Sequence, residues 1–146
     1  MPGTVCISGD ALRVFAPTAA RELLGPGSTY RAAAQLAAFY LEAGAVRVIF
    51  EYVFETPTQI EYFSAGLDFA IPRQVVTLWA SPETLEARDA LRGSGTRQGP
   101  RVAESFSTTS AHVRRFGCVV DTEACAATEV AARIHRFMRE TYEREA

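Results

Sequence analysis

Four short apolar runs alternate with stretches of helical periodicity, and this alternation constrains the fold more than any other feature of the sequence. The runs lie at residues 4–8, 46–50, 75–79 and 117–120, and each is rich in β-branched side chains. Continuous apolar runs of this length are typical of strands covered on both faces. The pattern predicts an α/β fold: a three-layer sandwich with a short, mostly parallel sheet, in a single domain over residues 1–146.

Capping residues and prolines mark where the predicted helices begin. Thr56 before Pro57 and Ser81 before Pro82 each predict a helix start, because a hydroxyl caps the first turn and Pro suits its first position. The predicted helices cover residues 11–24 with a break at Pro17, 30–42 after a cap at Ser28 or Thr29, 57–65, 82–93, 101–115, and 123–142 after a cap at Asp121 or Thr122.

Composition excludes several classes of chemistry and partner. All 15 basic residues among the 146 are Arg, so the chain has no amine side chain for a Schiff base, for pyridoxal phosphate or for the lysine of a P-loop. A net charge of −2 with no basic stripe argues against nucleic acid. No apolar stretch is long enough to span a membrane, and residues 1–10 do not have the pattern of a signal peptide. We therefore expect a cytoplasmic protein whose partners are small molecules or proteins.

The cysteines and histidines predict neither a metal site nor a disulfide framework. Three cysteines without a CxxC pair and two distant histidines do not match any ligand spacing. Cys6 and Cys118 lie inside predicted strands, where a thiol usually behaves as a small buried apolar group.

The residues that follow each strand are the first candidates for a site, because ligands of parallel sheets bind outside the carboxyl ends of the strands. They are Ser8, Gly9, Asp10, Glu51, Tyr52, Ala80, Ser81 and Asp121. Asp10 and Glu51 are the catalytic candidates, since two carboxylates at one crevice can act as acid and base. Two alternatives stay open: Asp10 caps the following helix, and Glu51 is a solvated strand end.

A glycine-rich cationic loop at residues 93–101 is the second candidate region. Arg97 and Arg101 could clamp an anionic ligand there, or be solvated loop arginines. Near the second strand, aromatic side chains either line an apolar pocket or belong to the core. These are Tyr52, Phe54, Tyr62 and Phe63.

The order of these parts resembles a known enzyme family. The segments that carry the resemblance are 5–13 (VCISGDALR), 30–33 (YRAA), 44–54 (GAVRVIFEYVF), 78–88 (LWASPETLEAR), 99–103 (GPRVA) and 119–122 (VVDT). Together they resemble the P-loop small-molecule kinases, especially the chloramphenicol phosphotransferase-like branch. The resemblance implies that Asp10 accepts the proton of a substrate hydroxyl, that Arg13 lies nearby, and that Arg97 and Arg101 belong to a phosphate-binding lid.

The family's nucleotide-binding unit is the main departure. Its strand, GxxxxGK[ST] loop and helix would precede Thr4, where the sequence has three residues. Without that unit we expect neither ordinary ATP-dependent transfer nor a cofactor. By resemblance, the missing strand would lie between the strands that end at Glu51 and Trp79. Either these two strands pair directly, or a second chain fills the gap in a homo-oligomer or hetero-complex.

Three functions are compatible with these sequence features. The first is an ATP-independent enzyme for a small polar or anionic metabolite, of the specialised, antibiotic type of metabolism, with Asp10 and Glu51 as catalytic residues. In it Arg13, Tyr52, Arg97 and Arg101 bind the substrate. The alternatives are a ligand- or partner-binding pseudoenzyme, and a split or N-terminally shortened small-molecule phosphotransferase.

Overall fold

The computed structural model describes residues 3–16, 18–25 and 27–145, which belong to two compact units, unit 1 (Met1–Pro72) and unit 2 (Arg73–Ala146). Each unit contains helices and a two-stranded parallel sheet. The predicted alternation of strands and helices in a mixed α/β fold is therefore confirmed. Among the described residues, the strands form two sheets of two strands each, one in each unit. The single domain stays a prediction.

Unit 1 is built on two parallel strands. Its elements are β1 (Thr4–Ser8), α1 (Gly9–Val14), α2 (Thr18–Leu24), α3 (Ser28–Glu42), β2 (Arg47–Glu51) and α4 (Pro57–Ser64). The register pairs Thr4 with Arg47 and Ser8 with Glu51. Helix α3 packs on this sheet through a stripe of small side chains, because alanines at helical spacing let the helix axis approach the strands closely. Ala33 and Ala37 of this stripe and Ile7 of β1 form the buried core.

Unit 2 repeats the parallel pairing with its own core. Its elements are β3 (Val76–Trp79), α5 (Pro82–Ala90), α6 (Arg101–Ser110), β4 (Cys118–Asp121) and α7 (Ala127–Glu145), with a 3-10 turn at Val113–Arg115. The register pairs Val76 with Cys118 and Trp79 with Asp121. Phe116, two residues before the start of β4, is the largest fully buried side chain of the described residues. The Trp79 and Phe106 rings lie 4.9 Å apart and join β3 to α6.

The predicted starts of α4 and α5 are confirmed, and each is fixed by a capping residue next to the first helical turn. Thr56 and Gln59 form a capping box at α4, and the Ser81 hydroxyl accepts a hydrogen bond from the Thr84 N–H at 3.2 Å. The predicted helix 11–24 is divided into α1 and α2, and Pro17 at the break lies outside the described residues.

Several predicted boundaries are wrong. Helix α1 begins at Gly9 instead of residue 11, and α5 ends at Ala90 instead of residue 93. Helix α3 begins at Ser28 after Gly27, whose positive φ of 79° favours glycine at the cap. Helix α6 ends at Ser110 instead of residue 115. The last helix begins at Ala127 instead of residue 123, because the Glu123 carboxylate is bound to Ser81 and Thr84 across the unit.

The prediction that Cys6 is buried is also wrong. Cys6 is exposed on β1, opposite Ile49 of β2, which is 37% exposed. Both side chains lie on the face of the sheet that α3 does not cover. The side chains at alternate positions lie on the face that α3 covers: Val5, Ile7, Val48 and Phe50.

None of the described helices has the length and apolar character that a bilayer span requires.

Candidate functional site

The carboxyl ends of β1 and β2 form the candidate site. Ser8 and Glu51 are register partners, so the chain leaves both strands at the same edge of the sheet. Asp10 follows β1 by two residues, Tyr52 follows β2 directly, and Arg13 lies on α1. The structure thus brings four of the six predicted site residues to one edge, and the two carboxylates are exposed there.

Asp10 belongs to the first turn of α1. Ser8 occupies the cap position of this helix, which begins at Gly9, so the alternative that Asp10 caps a helix beginning at Ala11 is wrong. A carboxylate in the first turn of a helix interacts favourably with the helix dipole. Arg13 lies three residues further along, on the same side of the helix. Asp10 and Arg13 therefore present opposite charges beside the sheet edge.

Gly9 determines where Tyr52 lies. A Cβ atom on Gly9 would be 2.2 Å from Cδ2 of the Tyr52 ring, far inside van der Waals contact. The half-buried Tyr52 ring is therefore packed directly against the backbone at the start of α1. Only glycine allows this approach, so the SGD sequence at residues 8–10 positions a ring from the neighbouring strand as well as a carboxylate.

Tyr30 anchors the segment that follows β2. Its buried hydroxyl donates a hydrogen bond of 2.6 Å to the Val53 carbonyl. Burial raises the pKa of Tyr30, nearby Tyr52 and Glu55 raise it further, and Arg13 lowers it. Arg13, Tyr52 and Glu55 therefore all influence the charge state of this one phenol. The sequence did not single out Tyr30 as a site residue, although an aromatic on the buried side of α3 was a usable signal.

An aromatic cluster lies beneath this edge. Tyr30 is 5.3 Å from Tyr52 and 5.1 Å from Phe54, measured between ring centroids. The rings of Phe50 and Phe63 stack at 4.9 Å. Tyr52, Phe54 and Phe63 are half-buried, so these aromatics pack against one another and leave part of their surface open. Tyr62 lies apart from them, under the guanidinium of Arg31 at 5.5 Å.

In unit 2, Arg97 is engaged with its own backbone. Its guanidinium donates hydrogen bonds to the carbonyls of Ala90 and, at 3.0 Å, Arg92. A cation at the last carbonyls of a helix stabilises its C-terminus, here that of α5. Arg101 is exposed and is the first residue of α6. The role of both arginines as an anion clamp stays a prediction.

Asp89 ties down the glycine-rich loop that contains Arg97. Its buried carboxylate accepts hydrogen bonds from the N–H groups of Gln98, at 2.9 and 3.1 Å, and Gly99, at 2.9 Å. These backbone bonds hold the pKa of Asp89 below its ordinary value, and nearby Arg92 and Arg97 lower it further. The loop is therefore closed at its base by one carboxylate that the sequence pattern did not reveal.

Removal of the Asp89 charge should open this loop. For Asp89→Asn we expect trypsin cleavage after Arg97 to accelerate on the order of fivefold at neutral pH, measured by mass spectrometry. Because the pKa is lowered in the folded state, the anchor acts above the ordinary carboxyl pKa of about 3.9 and weakens as the pH falls below it. Glu86→Gln, an exposed position on α5, is the control. Equal cleavage rates in the two variants would contradict the anchoring role.

A second polar network joins the carboxyl ends of β3 and β4. Glu123 accepts hydrogen bonds from the Ser81 N–H at 2.7 Å, the Ser81 hydroxyl at 2.8 Å and the Thr84 hydroxyl. These bonds lower the pKa of Glu123, with the Thr84 hydroxyl contributing most. Arg88 donates to the hydroxyl and carbonyl of Thr122 at 3.0 and 2.6 Å. The network holds the start of α5 to the end of β4.

Among the described residues, no three His, Cys, Asp or Glu side chains come together as a metal-binding group. Neither a family model nor a curated protein matches the chain. The resemblance to the P-loop small-molecule kinases therefore depends on the short sequence segments that carry it.

Proposed function

We propose that unit 1 acts on a small polar metabolite at the carboxyl ends of β1 and β2, by carboxylate acid–base chemistry that does not use ATP. The observation that carries the proposal is the pairing of Ser8 with Glu51, which brings Asp10 and Glu51 to one edge of the sheet. Exposed carboxylates, a cation on α1 and a half-buried ring at one edge are a combination suited to binding and proton transfer.

Each side chain at the edge has a defined role in this proposal. Asp10 accepts the proton of a substrate hydroxyl, and Glu51 exchanges a proton with a second substrate group. Arg13 holds an anionic or strongly polar group through its guanidinium. Tyr52, kept against Gly9, offers the exposed part of its ring to the apolar part of the substrate. We assign the site to unit 1 alone, and Arg97 and Arg101 stay candidate anion-binding residues of unit 2.

The kinase resemblance supports the same assignment. In the resembled kinases the acid that matches Asp10 acts as the base for a substrate hydroxyl, and the matching arginine lies nearby; both residues are present here. The resemblance also supports a three-layer sandwich as the fold. The chain has no lysine, so the P-loop lysine that contacts the nucleotide phosphates in the resembled kinases has no counterpart among its residues.

The test is substrate depletion from a metabolite mixture, followed by mass spectrometry. We expect at least one hydroxylated, polar metabolite to be converted, and Asp10→Asn to lower kcat/KM by about 10²- to 10⁴-fold. Glu61→Gln, which removes an exposed carboxylate on α4, should change kcat/KM by less than about twofold. Conversion by Asp10→Asn at the wild-type rate would contradict the proposal.

Two other outcomes would favour the alternative functions. Saturable binding of a metabolite without any product would favour a ligand-binding pseudoenzyme. Calorimetric binding of ATP with magnesium at a Kd below roughly 100 μM, about −5.5 kcal/mol, would favour the split or shortened phosphotransferase. Because the chain has no lysine, the cations that bind the phosphates in that case would be its arginines or residues of a second chain.

We also propose that a second chain completes the sheet, in a homo-oligomer or a hetero-complex. A two-stranded sheet needs further strands or a helix packed on it for stability. Both described sheets have two strands, and in unit 1 α3 covers one face. Apolar strand residues are exposed in each unit: Ile49 by 37%, Leu78 by 57% and Val119 by 44%. Light scattering at micromolar concentration should give a mass above that of one chain. A monomer would contradict this part of the proposal.

A further inference from the structure

We propose that two copies of the chain pair through β2, edge to edge and antiparallel, about a two-fold axis at Ile49. Strand β2 has the sequence RVIFE and pairs with β1 on one side. In the described part of the chain, no strand lies along its other edge. This inference rests on the proposal that a second chain completes the sheet, and it adds the identity of that chain, the edge and the register.

The peptide N–H and C=O groups of β2 point in the directions that this pairing requires. The Gly3 carbonyl accepts hydrogen bonds from the Val46 N–H at 2.8 Å and the Arg47 N–H at 3.3 Å. The Arg47 bond fits the parallel register in which Thr4 pairs with Arg47, so the Arg47 peptide groups face β1. Because these groups alternate along a strand, those of Val48 and Phe50 face the other edge. In a two-fold antiparallel pair, Val48 and Phe50 of the second copy would exchange N–H···O=C bonds. Ile49 then faces its own copy at a non-hydrogen-bonded position, where side chains approach most closely.

The side chains of β2 complement themselves in this register. Arg47 at one end lies opposite Glu51 of the second copy, and the same pair recurs at the other end. Val48 lies opposite Phe50, a favourable β-branched and aromatic pair. A register centred one residue earlier, on Val48, would instead place Arg47 opposite Ile49 and Glu51 opposite Ala45. Charged residues on an edge strand usually oppose pairing, but here they favour one register over its neighbours.

The pairing would give a four-stranded sheet in the order β1, β2, β2, β1. Four strands exceed the minimum for an independently stable sheet. A two-fold axis perpendicular to the sheet places both copies of α3 on one face. On the other face of the four-stranded sheet, the surfaces of the two copies form one continuous surface, which contains the exposed Cys6 and the partly exposed Ile49. The partner that fits this edge is therefore a second copy of the same chain.

Disulfide trapping tests the register directly. In a full-length background with Cys6, Cys118 and Cys125 replaced by Ser or Ala, we expect Ile49→Cys to form a disulfide-linked dimer on mild oxidation. Opposed non-hydrogen-bonded residues have Cα atoms about 4.5 Å apart, within the range of a disulfide. The control keeps Cys6 as the only cysteine. Cys6 is the register partner of Ile49. The two copies of Cys6 would be three strand spacings apart, about 14 Å, and should not crosslink.

Charge exchange tests the complementarity independently. Glu51→Arg or Arg47→Glu alone places like charges opposite each other at both ends of β2. We expect each to raise the dimer Kd at least about tenfold, measured by sedimentation. The double variant Arg47→Glu/Glu51→Arg restores two opposite-charge pairs and should return the Kd to near the wild-type value. Circular dichroism shows whether each variant is folded.

The outcomes separate this inference from the broader proposal. A wild-type monomer at about 100 μM would overturn both. An oligomer that crosslinks through Cys6 but not through Ile49→Cys would overturn only the β2 pairing. A dimer whose Kd is unchanged in both Glu51→Arg and Arg47→Glu would also overturn only the β2 pairing. Trapping at residue 49 together with rescue by the double variant supports the β2 pairing, whatever reaction the protein carries out.

Discussion

Phe116→Ala should lower the free energy of unfolding of unit 2 by about 3–5 kcal/mol. The Phe116 side chain is 1% exposed and is the largest fully buried group of the described residues. Its removal would leave a cavity next to β3, where the Phe116 carbonyl accepts a hydrogen bond from the Thr77 hydroxyl at 2.9 Å. A loss of this size is a large share of the stability of a domain.

The single tryptophan of the chain makes this prediction measurable within one unit. Trp79 lies on β3, so its fluorescence during urea unfolding reports on unit 2. Leu91→Ala is the matched control, because Leu91 also belongs to unit 2 and its side chain is 89% exposed. It should change the free energy of unfolding by less than about 0.5 kcal/mol. A similar cost for the two substitutions would show that Phe116 does not hold the core of unit 2.

Gly9→Ala should displace Tyr52 and destabilise unit 1 by about 1–3 kcal/mol. The new Cβ would lie 2.2 Å from the Tyr52 ring and 2.8 Å from the Tyr52 Cβ, so the ring or the start of α1 must move. The expected results are a lower urea midpoint by circular dichroism and weaker metabolite binding, because Tyr52 leaves the candidate site.

A double-mutant cycle identifies the cause. Tyr52→Ala removes the ring that the new methyl group would meet, so adding Gly9→Ala to it should cost much less than Gly9→Ala alone. Gly93→Ala is the matched control, since a Cβ there has no atom within 4 Å. If the cost of Gly9→Ala is unchanged in the Tyr52→Ala background, contact with the Tyr52 ring is not its cause.

Features that depend on neighbouring residues were predictable from the sequence. The cap at Ser81 is formed with Thr84, and the capping box at Thr56 with Gln59, three residues away in each case. Such bonds close within one helical turn whatever the rest of the chain does. The position of Asp10 and Glu51 at one edge was predictable for a similar reason, because parallel strands place their carboxyl ends together.

Features that depend on distant partners were not predictable. Glu123 is bound by Ser81, 42 residues away in sequence, and this bond accompanies the later start of α7. Asp89 anchors Gly99 ten residues away, although both side chain and loop looked like ordinary polar surface in the sequence. The guanidinium of Arg97 donates to the backbone carbonyls of Ala90 and Arg92 at the end of α5, a contact that the sequence pattern did not indicate.

The sequence by itself determined the alternation of strands and helices, most helix starts and the edge at which Asp10, Arg13, Glu51 and Tyr52 meet. These follow from local periodicity, capping and the direction of parallel strands. Only the tertiary structure decided that each unit has a sheet of two described strands, that Cys6 is exposed and that Tyr30 packs in the aromatic cluster with Phe50, Tyr52 and Phe54. Burial and sheet pairing depend on which surfaces meet, and an apolar strand residue has the same local pattern whether or not another element covers it.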